Sequence, residues 1–195
     1  MSDSTITDSK ENKEQRILDA AAELFAAHPF HKVLLDDVAR MARVGKGTLY
    51  LYFSSKDELY LAMLFREFAG LVERLRRQLD AEAPADEQMA GVVAEIVRHL
   101  FGKATIMELL RGAVVNCPQD GKWNDKRLEM RTLLENLIKR GIRQGLFQDT
   151  DPQLTAQYIT GLVRSACLFK PEGADAESIT SHATKFILNG LRKAA

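Results

Sequence analysis

The sequence predicts an all-helical protein, and three observations lead to that prediction. Apolar residues recur at spacings of three and four along almost the whole chain, which is the period of one helix face. No run of useful length alternates apolar and polar residues, and no segment repeats another. With 195 residues, 46% of them hydrophobic, the chain is long enough to bury its own core. We therefore expect an all-α fold of about nine helices.

The positive and negative charges of the chain balance, so only local charge patterns can indicate a binding surface. The 27 basic and 27 acidic side chains give a formal net charge of zero, which offers no overall steering toward nucleic acid or a membrane. The N-terminal MSDSTITDSKENKEQ is polar, and no window approaches eighteen uninterrupted apolar residues. Cys117 and Cys167 lie 50 residues apart, outside any disulfide or zinc-site spacing. We expect a cytoplasmic protein with buried thiols.

The first helix is expected to follow a polar arm. Residues 1 to 10 are dominated by Ser, Thr and Asp and lack an apolar period, which predicts a disordered arm. One helix face comes next, formed by Ile17, Leu18, Ala21, Leu24 and Phe25. Pro29 ends this helix, because the residue before a proline is pushed out of the helical region.

Two short helices and a long one come next. In residues 35 to 42, acids begin the segment and bases end it, which suits the helix dipole. Two glycines interrupt the pattern before a further brief element over residues 48 to 53. Ser54 or Ser55 can cap the long helix that continues to about Leu79.

After the break at residues 83 to 86, the chain becomes richer in Leu, Val and Ile. Asp151-Pro152 is a helix cap followed by a proline at the first helical position. From the apolar periods and the turn residues we expect helices over residues 89–101, 105–115, 123–145, 152–169 and 175–192.

The two short helices, with a tight glycine-containing turn between them, predict a helix-turn-helix unit. In such a unit the second short helix enters the DNA major groove. Residues 40 to 56 contain no acid, and they offer phosphates the cations and hydroxyl groups of Arg40, Arg43, Lys46, Lys56, Thr48, Tyr50, Tyr52, Ser54 and Ser55. An acid beside the phosphate backbone would add repulsion, whereas a cation that neutralises a phosphate releases a counterion. The segment therefore predicts a DNA-binding surface.

Other interpretations of these motifs explain less. Composition alone would also fit a polar surface turn. The GKGT sequence departs from a phosphate-binding loop, because Gly47 stands where Ser or Thr is needed. His28 and His31 lack a third ligand, and the calcium-loop spacing fails in QDGKWND. No nucleophile, base and orienting group follow a recognisable order, so the sequence predicts no enzyme, no cofactor and no metal site.

The segment LDAAAELFAAHPFHKVLLDDVARMARVGKGTLYLYFSSKDEL closely resembles the DNA-binding domain of the tetracycline repressor (TetR) family. The family pattern pairs an AA-x-x-LF first helix with a G-T-L-Y-x-Y-F-x-S-K recognition segment, which GTLYLYFSSKDEL matches over thirteen positions. The resemblance covers roughly residues 11 to 60. Family members are all-helical homodimers that bind palindromic operators and release them when a small molecule enters the C-terminal domain.

The resemblance implies a division of the chain and a function. Residues 11 to 57 would form the three-helix DNA-binding domain, and residues 58 to 195 the helical effector-binding and dimerisation domain. The protein would be a ligand-responsive transcriptional regulator, a repressor released by a small, partly hydrophobic molecule. The alternative is a helical small-molecule-binding protein or enzyme that has lost DNA binding.

The resemblance also implies DNA-binding and dimer-interface residues, whereas the ligand-binding residues are expected because they mix apolar surface with a few polar groups. The expected DNA-binding residues are Arg43, Gly45, Lys46, Gly47, Thr48, Tyr50, Tyr52 and Lys56. The expected ligand-binding residues are Ile96, His99, Phe101, Met107, Leu110, Arg111, Trp123 and Tyr158. The expected dimer-interface residues are Tyr158, Gly161, Leu162, Ser165, Phe169, Ala183, Phe186, Ile187 and Gly190.

Some residues depart from the family pattern near the turn. Leu34 stands where threonine is usual, and it cannot cap the second helix, a loss of about 1 kcal/mol. Arg43 stands where glycine is usual, and a positive φ there would cost on the order of 1 kcal/mol. Gly45 replaces a serine or threonine and is an acceptable cap.

Overall fold

The structure, a computed structural model, describes residues 3–101 and 121–192. Within these residues the chain forms eight α-helices and no β-strand apart from an isolated bridge between Phe147 and Arg192. The all-α prediction is confirmed. The further helix predicted over residues 105 to 115 lies outside the described residues, as does Cys117.

The chain divides into two compact units, Met1–Phe68 and Ala69–Ala195, and the boundary lies within the fourth helix. The predicted division after residue 57 falls at the beginning of that helix. The helices are α1 (Asp3–Ala27), α2 (Leu35–Met41), α3 (Lys46–Tyr52), α4 (Lys56–Gln78), α5 (Ala85–Phe101), α6 (Gly121–Arg143), α7 (Pro152–Leu168) and α8 (Ala176–Leu191).

Helix α1 corrects the prediction of a disordered arm, because it already begins at Asp3. No glycine or proline occurs between Asp3 and Ala27, so no backbone breaker opposes the extension of the helix toward the N-terminus. At its other end α1 stops at Ala27, two residues before Pro29, as the sequence predicts.

The core of the first unit fixes the two short helices against α1 and α4. Ile17, Val38, Leu49 and Leu59, one from each helix, are completely buried. Beside them Phe25, Phe30 and Tyr60 form an aromatic cluster with ring centroids 4.7 to 5.7 Å apart. Such edge and offset contacts add to the stabilisation that burial of the rings provides. The unit therefore holds α2 and α3 rigidly, although each helix has only seven residues.

Helix α5 forms the centre of the second unit and packs against α6, α7 and α8. Its buried residues include one acid, Glu95, with 7% of its surface exposed. Arg74 Nε donates to Glu95 Oε1 over 2.7 Å, and Arg98 forms a second ion pair with the same carboxylate. A buried carboxylate needs such partners, because losing them would leave a desolvated charge.

The connection from α6 to α7 closes on the C-terminal end of the chain. Gly145, with φ +73°, permits the turn after α6. Phe147 is 2% exposed and packs on the backbone at Gly141, while Gln148 N donates to Leu191 O over 2.7 Å. Asp151 and Asp175 cap α7 and α8 with their side chains, as predicted for the first of them.

Replacing Gly141 with alanine should destabilise the second unit. The new Cβ would lie 2.7 Å from Phe147 Cγ, so the buried ring would have to move. Overpacking of this kind costs about 1 to 3 kcal/mol, which urea unfolding followed by circular dichroism can measure. Gly70→Ala is the control, because its Cβ would contact only Arg74 Nη1 at 3.4 Å. A Gly141→Ala protein as stable as wild type would contradict this packing.

Candidate nucleic-acid interface

The turn between α2 and α3 has the hydrogen bonds of a Schellman motif. Arg43 N donates to Arg40 O over 3.1 Å, and Val44 N donates to Ala39 O over 3.0 Å. This motif places the residue after the helix cap in the left-handed region, and Arg43 has φ +54°. The strain predicted for an arginine at this position is therefore present. Arg43 is the one non-glycine residue with positive φ in the described parts of the chain.

Arg16, on α1, donates hydrogen bonds to backbone carbonyl groups of this turn. Its Nε donates to Ala42 O over 3.0 Å, and its Nη2 donates to Ala42 O and Arg43 O over 2.5 and 2.6 Å. The guanidinium thus satisfies carbonyl groups that the end of α2 leaves unpaired, and its charge complements the negative end of the helix dipole. The sequence does not predict this role for Arg16, because no local pattern relates it to residues so distant along the chain.

Neither α2 nor α3 has a side-chain cap hydrogen bond at its N-terminal end. Leu34 occupies the cap position of α2 and makes no side-chain cap hydrogen bond, as predicted, and 60% of its surface is exposed. Gly45 caps α3 in an extended conformation, with φ −67° and ψ 147°. A glycine cap costs only a few tenths of a kcal/mol relative to serine or threonine. The departures from the family pattern therefore leave both short helices intact.

Helix α3 has one face in the core and one face toward solvent. Leu49 is completely buried and Phe53 is 4% exposed, so these residues attach α3 to the unit. Thr48 and Tyr52 are half-buried at the sides of the helix. The predicted DNA-binding residues that are exposed are Arg43, Gly45, Lys46, Gly47 and Tyr50. The unit thus presents most of the predicted contact residues together on one short helix and the turn before it.

Acids from α2 lie beside the cations of this surface. Lys46 Nζ donates to Asp36 Oδ2 over 2.9 Å, and this hydrogen bond and the nearby charge raise the pKa of Lys46. Arg40 pairs in the same way with Asp37. Residues 40 to 56 contain no acid, but Asp36 and Asp37, which lie just before them on α2, pair with two of their cations. The positive charge of this surface is smaller than the segment alone indicated.

Lys56 contacts the protein itself. Its Nζ donates to Phe30 O over 2.9 Å and to Val33 O over 3.2 Å, and it lies 4.4 Å from the centroid of the Phe30 ring. These contacts tie the beginning of α4 to the 3-10 turn Phe30–Lys32. Lys56 therefore positions the unit, and its predicted phosphate contact stays a prediction.

Two serines cap the N-terminal end of α4. Ser55 Oγ accepts from Glu58 N over 3.1 Å, and Ser54 donates through its amide and hydroxyl to Glu58 Oε2. The arrangement is close to a capping box. The prediction that one of these serines caps α4 is confirmed for Ser55.

The predicted dimer residues divide into two groups. Tyr158, Phe169 and Phe186 have 62%, 72% and 62% of their surfaces exposed, and Ser165 and Gly190 are exposed as well. Gly161 and Leu162 are half-buried. Ala183 and Ile187 are 3% and 6% exposed, so they belong to the core of the second unit and offer almost no surface to a partner. The prediction for these two residues is corrected, because they share the inward face of α8 with Ile179 and Leu191.

The predicted ligand residues that the structure describes lie in different surroundings. A groove of about 540 Å³ in the second unit is lined by Ala94, Val97, Arg98, Phe101, Ala176, Glu177, Thr180 and Ser181, and of the predicted residues only Phe101 is among them. Ile96 and Trp123 are core residues, Tyr158 is exposed, and His99 Nδ1 lies 3.2 Å from Arg74 Nη2. Met107, Leu110 and Arg111 lie outside the described residues.

Two further properties concern the described residues. None of their helices combines the length and apolar character needed to span a membrane. In the same residues, no three metal-ligating side chains are grouped closely enough to hold a metal ion.

A helix-turn-helix unit that exposes one face of its second helix is the architecture of a class of DNA-binding proteins. Comparison with known families specifies which kind. Residues 17–63 match the model of the bacterial regulatory proteins of the tetR family, and residues 82–191 match that of the tetracyclin repressor-like C-terminal domain. The chain belongs to the tetR family and is a DNA-binding transcriptional regulator, which confirms the family and the fold predicted from the sequence.

Individual relatives agree with this assignment. The fatty acid metabolism regulator protein of Bacillus subtilis is 27% identical over 157 residues, which are 79% of this chain and 81% of the relative. The repressor KstR2 of Mycobacterium tuberculosis is 23% identical over 188 residues, covering 93% and 94% of the two chains. The solved structure of Bacillus subtilis FadR in complex with stearoyl-CoA has a TM-score of 0.72 at 21% identity, covering 90% and 98%. This last likeness concerns the fold alone.

Arg43→Gly should give a more stable protein than Arg43→Ala. Both variants remove the same charge, but alanine keeps the steric penalty of a Cβ at φ +54°, whereas glycine does not. We expect a difference of about 0.5 to 1 kcal/mol in the free energy of unfolding, measured by urea denaturation. At Arg40, inside α2, the order should reverse, because glycine is the poorer residue in a helix. The same order at both positions would argue against strain at Arg43.

Proposed function

We propose that the protein is a cytoplasmic, homodimeric repressor that binds a palindromic operator and leaves it when a partly hydrophobic molecule binds the second unit. The observation that carries the proposal is the outward surface of α3, with Lys46, Gly47 and Tyr50 exposed beside Arg43 on a core that holds the helix rigidly. Helices presented in this way enter the major groove, with their first residues near base edges.

The proposed DNA contacts follow from side-chain chemistry. Lys46 would reach base edges or the adjacent phosphates, because it stands at the first position of α3. Arg43, in the turn before α3, and Tyr50, one helical turn after Lys46, are also exposed and would contact phosphates. Gly45 and Gly47 carry no side chain, and an added Cβ at Gly47 would meet no atom within 4 Å. The backbone at Gly47 can therefore approach the DNA closely.

Two-fold symmetry is the natural partner of a palindromic site, since each subunit then reads one half-site. The exposed aromatic residues of α7, α8 and the segment after α7 support dimerisation through the second unit. Tyr158, Phe169 and Phe186 each leave more than 60% of their surface in contact with solvent in the single chain. Aromatic side chains of this kind are typical anchors of protein interfaces.

The effector class is proposed from the relatives and from the groove between α5 and α8. Bacillus subtilis FadR has been solved with stearoyl-CoA, and KstR2 is described as a ketosteroid regulator. In this chain Ala94, Val97 and Phe101 give the groove an apolar wall, and its charged lining residues are Glu177 and Arg98, which pairs with Glu95. The acyl chain of a long-chain acyl thioester would lie against this apolar wall.

The alternative, a helical protein that has lost DNA binding, was suggested by Leu34 and Arg43. The structure weakens that reason, because the Schellman turn forms with arginine at position 43 and α2 forms with leucine at its cap.

Lys46→Gln and Asp36→Asn should change operator affinity in opposite directions. Operators selected from random DNA, or the DNA beside the protein's own gene, would be titrated by fluorescence anisotropy at several salt concentrations. Lys46→Gln removes one phosphate contact in each half-site, so the slope of log K against log salt should fall by about 1.8 for the dimer, with weaker and less salt-dependent binding. Asp36→Asn should bind more tightly, because it removes an acid that pairs with Lys46. Lys185→Gln, an exposed lysine of α8, serves as the matched control. Identical titrations for Lys46→Gln and Lys185→Gln would remove the assignment of Lys46.

Stearoyl-CoA should release the operator, while coenzyme A and stearate should have smaller effects. Allosteric coupling of about 1 to 3 kcal/mol would weaken operator binding 5- to 150-fold. Phe101→Ala should reduce this response without changing operator affinity in the absence of the thioester, since Phe101 lies in the second unit. Equal operator affinity with all three compounds would reject the acyl thioester as the effector.

A further inference from the structure

Leu51 is the most exposed large hydrophobic side chain in the described residues, with 86% of its surface in contact with solvent. A single exposed leucine is ordinary on a protein surface. This one, however, belongs to α3, whose other leucine, Leu49, is completely buried. Its exposure therefore comes from a definite position on a rigid helix.

The position follows from helix geometry. At about 100° per residue, Gly47 and Leu51 lie about 160° on either side of the buried Leu49. They are one turn apart and form the line of α3 farthest from the core. At Gly47 an added Cβ would meet no atom within 4 Å, so this line consists of bare backbone followed by an isobutyl group.

The surroundings indicate what that isobutyl group meets. Lys46 and Tyr50 are exposed beside this line and belong to the proposed DNA interface. When a helix enters the major groove, its outermost line faces the base edges and its flanks face the phosphates. Among the groups that base pairs present there, the C5-methyl of thymine is the apolar one. An aliphatic side chain at this place matches that methyl group and leaves no polar group unpaired.

We propose that Leu51 contacts the C5-methyl of a thymine in each half-site and thereby sets sequence preference at that position. The inference rests on the proposed DNA interface and adds to it a residue outside the predicted set. Leu51 lies on the same surface as the exposed DNA-binding residues, which favours DNA over a protein partner as its occupant.

The test replaces each thymine of the selected operator, one at a time, with deoxyuridine. This change removes only the methyl group and leaves base pairing intact. For wild type we expect one symmetric pair of positions at which deoxyuridine weakens binding about four-fold per half-site, the factor that corresponds to burying one CH₂ group. Leu51→Ala should bind the thymine operator correspondingly more weakly and should no longer distinguish thymine from deoxyuridine at those positions.

Leu51→Met, which keeps an apolar side chain, should retain the distinction. Leu154→Ala, at an exposed leucine of the second unit, should behave as wild type. Unfolding curves would show that the Leu51 variants fold normally, as expected for an exposed side chain. If wild type binds the operator but no deoxyuridine weakens it, or if Leu51→Ala keeps the same deoxyuridine sensitivity, the inference is overturned while the proposed function stands. If wild type selects no operator, both fail.

Discussion

Two arginines fix the direction in which α3 leaves α2. Arg43 adopts a left-handed conformation that L-residues rarely accept, and Arg16 donates to the carbonyls of Ala42 and Arg43. Backbone strain of this kind persists only where surrounding contacts determine the conformation. Here the Schellman hydrogen bonds and the guanidinium of Arg16 do so. These contacts fix the turn, and the turn sets the direction in which α3 exposes the residues proposed to contact DNA.

Local signals account for what the sequence predicted well. Pro29 ends α1, Asp151 and Pro152 begin α7, and the apolar period of each helix identifies its buried face, because each of these effects acts within a few residues. The strain at Arg43 was also predictable, since it depends on one residue type in one kind of turn. The hydrogen bonds of Arg16 cross 26 to 27 residues of chain and those of Lys56 cross 23 to 26, so they exist only once the core has formed. Composition and residue spacing therefore do not predict such contacts.

Helix α8 shows why the sequence did not distinguish core residues from outward-facing ones. Its apolar residues extend around more than one face, so the sequence could not separate positions that pack inside the unit from positions that face outward. Burial separates them: Ala183 and Ile187 lie inside, and Phe186 lies outside. Ile96 and Trp123, which the sequence predicts as ligand-binding residues, are buried in the single chain, and their apolar character suits a ligand site and a core alike. Residue type alone does not distinguish these environments.

In the proposed complex, the acids of α2 affect the ratio of operator binding to non-specific DNA binding. Asp36 and Asp37 stabilise the N-terminal end of α2, where no side chain caps the helix, and they pair with Lys46 and Arg40. Phosphate attraction is the same for every DNA sequence, so cations that are partly neutralised contribute less to non-specific binding. In the proposed complex, base-edge contacts would then supply a larger share of the affinity. A chain with no net charge, a glycine and a leucine on the outermost line of α3, and paired cations beside them is consistent with recognition that depends on shape and base edges more than on charge.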